Sequence, residues 1–128
     1  MHGIETTLEC DLADAEIAVR RALAAEGFGV LSEIDVAAIL TTKLGVDRPP
    51  LKILCACNPS LAHRGLAIDP SVALVLPCNV VLEEAAPGRT SVAIADPREL
   101  IPDAAFTALA FEVAELLLAA VGQLHDQA

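Results

Sequence analysis

The chain has 128 residues, 55% of them hydrophobic and only 2% aromatic, with a formal net charge of -10 and a pI near 4.5. That length suits one domain spanning the chain, with a core built from Ala, Val, Leu and Ile. The acidic balance argues against nucleic acid and anionic membrane surfaces as partners, and without Trp or Tyr the usual platforms for stacking bases are missing.

Met1-His2-Gly3-Ile4-Glu5 carries neither a basic nor an apolar signal region, and the apolar stretch from Leu116 to Val121, flanked by Glu112 and Glu115, is too short for a bilayer. A cytoplasmic location with reduced thiols is therefore expected. Ile4 to Glu9 alternates, with Ile4, Thr6 and Leu8 on one face, and predicts a half-buried strand. Asp11 is placed to cap a helix from Leu12 to Glu26, with Asp14 three residues on. Leu12, Ala15, Val19, Ala22 and Leu23 recur at helical spacing, and Gly27 ends the helix. Phe28 to Ile34 reads as a strand. Asp35 begins a second helix, with Val36, Ile39 and Leu40 on one face and Leu44 added before Gly45.

Asp47-Arg48-Pro49-Pro50 predicts a rigid loop, and Leu51 to Asn58 a buried strand. Pro59 opens a short helix over Leu61 to Ile68, closed by Asp69-Pro70. Val72 to Leu82 reads as a strand interrupted by Pro77, which demands an edge or a bulge. Pro87-Gly88 turns the chain into a hairpin partner over Thr90 to Ala95. A final helix is expected from about Asp103 to Leu124, with Phe106, Leu109, Val113, Leu116, Leu117 and Ala120 on its apolar face. The order β-α-β-α-β-α-β-β-α predicts an α+β fold: a mixed or mainly antiparallel sheet with helices on one face. The rival, a doubly wound sheet, lacks a Gly-rich phosphate loop after the first strand.

The densest chemistry lies in Cys55-Ala56-Cys57-Asn58-Pro59 and Pro77-Cys78-Asn79. Together with the run from Glu26 to Asp35, Lys43-Leu44-Gly45 and Leu76-Pro77-Cys78-Asn79-Val80-Val81, these segments resemble the bacterial and archaeal family called domain of unknown function 302. The resemblance covers nearly the whole chain in order. It implies a curved antiparallel sheet packed on a long C-terminal helix, a TATA-box-binding-protein-like architecture, and a homodimer. It supplies no reaction. Cys55 falls where that family usually carries a small residue such as Gly.

On a strand, Cys55 and Cys57 share a face, about 6.5–7 Å apart at the usual rise, so a bridge between them would be strained. Cys57 and Cys78 are the better pair if their strands are neighbours, with Cys10 far away; the plain alternative is that these cysteines are small core residues. A metal reading takes Cys55, Cys57, Cys78 and His63 as a Cys₃His set, although the spacing is unlike a zinc knuckle and His63 falls on the wet face of its helix.

Asn58 and Asn79, each beside a cysteine, offer donor and acceptor to a small ligand; alternatively Asn58 caps the next helix and Asn79 satisfies a bulge. Glu33, Asp35 and Lys43 read as solvated or as a pocket rim, with Lys43 suited to the helix C-terminus. Serine catalysis, phosphate loops and HExxH find no pattern. Two functional classes follow. One is a module binding a metal, a haem-like cofactor or a small metabolite near Cys57, Asn58, Cys78 and Asn79. The other is a thiol enzyme or redox sensor using Cys57 or Cys78. A structural or interaction domain with no site is the third possibility.

Overall fold

A computed structural model of the chain describes residues 3–76, 78–101 and 103–127. Five strands form one antiparallel sheet: β1 (Ile4–Leu8), β2 (Gly29–Asp35), β3 (Leu51–Cys57), β4 (Cys78–Ala86) and β5 (Arg89–Ile94), in the order β1-β5-β4-β3-β2. Every pairing is antiparallel, which narrows the mixed-or-antiparallel expectation to the second. The helices are α1 (Leu12–Ala25), α2 (Val36–Leu44), α3 (Pro59–Ile68), the single turn α4 (Pro97–Leu100) and α5 (Thr107–Gln127). Two 3-10 turns, Pro70–Val75 and Ala104–Phe106, complete the chain.

Strand alternation puts Ile4, Leu8, Leu54, Ala56, Val80, Leu82, Val92 and Ile94 on one face of the sheet, all buried. The stripes predicted for α1 and α5 meet that face: Ala15, Val19, Ala22 and Leu23 from α1, and Leu117, Ala120 and Leu124 from α5. By length and composition the segment Ala104–His125 could cross a membrane. Its inner stripe instead packs in this core, leaving Phe111 and Leu118 half exposed. Caps follow the sequence closely. Asp11 accepts from the Asp14 amide and Asp35 from the Ala38 amide, both at 2.9 Å. Gly45 ends α2 at φ 65°, a conformation that favours glycine.

Two expectations are corrected. Val72 to Val75 is a 3-10 turn, not strand, because Asp69 caps it by accepting from the Ser71 amide at 2.9 Å and Pro70 sits at its start. The strand begins at Cys78 and runs to Ala86, while the expected break at Pro77 lies outside the described residues. The apolar residues of α2 form a helix as expected, yet none is buried: Ile39 and Leu44 stay exposed, as do Val46 just beyond the helix and Leu31 and Ile34 on the edge strand β2.

Candidate functional site

Three cap-and-proline pairs build one end of the molecule. Asn58-Pro59 opens α3, Asp69-Pro70 opens the 3-10 turn, and Asp96-Pro97 opens α4. In each, the side chain before proline accepts a backbone N–H, and proline supplies a φ already suited to the first turn. These turns wrap the end of the sheet where β3 stops and β4 starts. Between them and α5 lies a cavity bounding about 650 Å³ of empty space out to the solvent, of which about 50 Å³ admits the centre of a water-sized sphere. The room for a ligand inside the walls is therefore small, and the cavity is a narrow slot open to solvent. Leu61, Val72, Leu76, Leu100, Phe106 and Leu109 supply much of its apolar wall.

Cys57, Asn58 and Cys78 also line this cavity. The register pairs Ala56 with Cys78, so Cys57 lies one residue beyond that pair on the adjacent strand. Both cysteines are half-buried free thiols. Burial, with the neighbouring Cys57 adding to it, pushes the Cys78 thiol up to about 11. The Asn58 amide is spent on the scaffold: its oxygen accepts from the Leu61 amide and its nitrogen donates to the Glu26 carbonyl, each at 3.3 Å. That second bond ties the start of α3 to the end of α1. A Cβ on Gly27, whose φ is +86°, would meet Asn58 Nδ2 at 3.0 Å, so this junction tolerates only glycine easily.

The other sequence-predicted residues lie elsewhere. Asn79 pairs with Cys55 on the sheet face away from α1 and α5, where the Cys55 thiol donates weakly to Asn79 Oδ1 at 3.7 Å. Alternation along β4 therefore turns Asn79 away from the face that Cys78 takes, and Asn79 is not part of the cavity lining. Cys55, beside Asn79, also lies outside that lining, and His63 is exposed on α3, so the Cys₃His set is not brought together. Among the described residues no three His, Cys, Asp or Glu side chains gather as metal ligands. Glu33 accepts from Arg20 at 2.7 Å and approaches Lys52 at 3.1 Å, which gives it a bracing role between β2, β3 and α1. Lys43 shares a shallow depression with Glu33, Asp35, Ala38 and Ile39, apart from the cavity. Cys10 is remote from both and packs at the edge of the main core.

A family model described as "Domain of unknown function DUF302" matches residues 4–124. The chain belongs to the DUF302 family. A solved structure, described as an uncharacterized conserved protein DUF302 from Bacillus stearothermophilus, is 27% identical and superposes with a TM-score of 0.85 over 94% of this chain and 96% of that one. No protein of the curated comparison matches. Within this DUF302 fold, sequence reasoning finds the cysteines but misses the wall around them. Val72 reads as strand, and nothing local singles out Val75, Leu100 or Ile101. The signal is present in the repeated Asn-Pro and Asp-Pro pairs, each of which opens a short helical turn that lines the cavity.

Proposed function

We propose that this DUF302 protein is a small-molecule-binding domain whose ligand occupies the slot between α3, the 3-10 turn Pro70–Val75, α4 and α5. The observation that carries this reading is the apolar slot itself, walled by three capped turns and lined also by Cys57 and Cys78. Pockets of this kind, mostly apolar and set at the edge of a rigid sheet, are the usual places for small ligands. As the nucleophile of a thiol enzyme Cys78 has less support, because a thiol pushed up to about 11 is almost wholly protonated at neutral pH and a poor nucleophile.

The test is to purify the chain natively, unfold it in organic solvent and weigh the released small molecules by mass spectrometry. A species near one per chain, lost in Ala62→Leu, supports the reading, since Ala62 lines the slot and a larger side chain fills it. Its absence from both proteins, with no metabolite fraction raising the melting temperature of either, contradicts it.

A second copy of the chain as partner is favoured by α2. Asp35, Ile39 and Lys43 are spaced four apart and border one depression. A two-fold axis through Ile39 would set Asp35 of each copy against Lys43 of the other, with the exposed Ile39 and Leu44 buried between antiparallel helices. The four free cysteines fit a reducing, cytoplasmic setting.

A further inference from the structure

We infer that the ligand of the slot is an uncharged, slim hydrocarbon, an inference that rests on the binding reading above and narrows it to a chemical class. The wall offers no charge. Of its polar side chains, Asn58 is already engaged by Leu61 and Glu26, and Cys57 and Cys78 carry only weak thiol donors. Among the described residues no buried side-chain nitrogen or oxygen lacks a partner, so no polar group waits inside for a ligand's head. A carboxylate or phosphate entering the slot would lose its hydration without compensation.

The two arginines beside the slot are also spoken for. The Arg98 guanidinium is held by Asp96 Oδ2 at 2.7 Å and lies 5.6 Å from the centre of the Phe111 ring, and Arg64 is clamped by Glu112 at 2.8 Å. The net charge of -10 adds a general repulsion of anions. With only about 50 Å³ open to the centre of a water-sized sphere, the slot favours a slim ligand over a bulky one.

The probe is N-phenyl-1-naphthylamine, a neutral dye that fluoresces in apolar surroundings, displaced by 1-decanol or by decanoate at pH 8. The expected result is saturable dye binding, with 1-decanol displacing it at a concentration about tenfold or more below that of decanoate, since the carboxylate must stay in water. Ala62→Leu should weaken displacement by about the same factor while keeping the helical circular dichroism of the parent. Ala110→Leu, on the facing wall, serves if Ala62→Leu does not fold.

Decanoate displacing the dye as well as decanol does would overturn the hydrocarbon assignment, while a molecule still extracted from the native protein would leave the binding reading standing. Dye binding unaffected by Ala62→Leu but removed by Ile39→Glu would place the apolar site on α2 and overturn the inference as well. Absence of dye binding together with an empty extract would overturn both.

Discussion

Asn58 shows how one side chain can serve chain direction and packing together. It caps α3 and bonds the end of α1, so Asn58→Ala removes a cap and leaves the Glu26 carbonyl without that donor. A loss of about 1–2 kcal/mol is expected, read from urea unfolding. Asn58→Asp, which keeps the acceptor, should lose less. Cys78 makes a pH prediction. Its folded value, pushed up to about 11, lies above the roughly 8.5 of an unfolded cysteine. The unfolded chain therefore releases this proton first as pH rises. Cys78 contributes stability that is whole below about 8.5 and lost as pH climbs towards 11. Melting curves from pH 7 to 11 should fall more steeply for the parent than for Cys78→Ala; parallel curves would count against a protonated, buried thiol. Asp96 works in the opposite sense. Hydrogen bonds from Arg98, set against burial, hold its carboxyl below the usual range, so its stabilisation is present above about pH 4 and lost on acidification. In Asp96→Asn the acid limb of the stability profile should flatten.

At the level of elements, legibility follows periodicity. The stripes of α1 and α5 and the alternation of β1 and β5 are readable because each buries one face, and burial is what patterns a sequence. Leu117, fully buried on α5, should cost about 2–5 kcal/mol when replaced by Ala, measured by denaturant unfolding. The 3-10 turn Pro70–Val75 is easily misread because Val72 and Val75 carry strand propensity, and the Asp69 cap with Pro70 outweighs that propensity locally. Both Cys-Asn pairs draw attention as one site. Strand alternation splits the second pair, with Cys78 directed to the helical side with Ala56, and Asn79 to the other with Cys55. The β4–β5 hairpin is written in its turn, but that β3 lies beside β4, and in what register, is a long-range fact that no local pattern records. Helix α2 is a different case: its apolar stripe is plain in sequence, yet within one chain no residue of it is fully buried. Ile39→Glu should leave the fold intact and halve the mass seen by light scattering, and Lys43→Glu should weaken the assembly through the repulsion it sets against Asp35. A parent protein of monomer mass at micromolar concentration would contradict the two-fold arrangement.

The whole molecule divides into a main core, where sheet, α1 and α5 meet, and an end assembled from short capped turns. The first is held by long buried stripes. The second consists of turns of four to ten residues, α4 and α3 marking the extremes of its capped pieces beside the 3-10 turn, and it encloses space rather than filling it. Local openings of such short segments cost less than global unfolding, which gives a ligand its way in without disturbing the sheet. If a hydrocarbon binds at this end, and not on the apolar surface of α2, methyl-resolved NMR with 1-decanol added to the protein will show it. Shifts are expected to concentrate on Leu61, Val72, Val75 and Leu109, with Leu23 and Val92 of the main core and Ile39 of α2 unmoved. Shifts that gather on Ile39 and Leu44 while the slot methyls stay in place would contradict it.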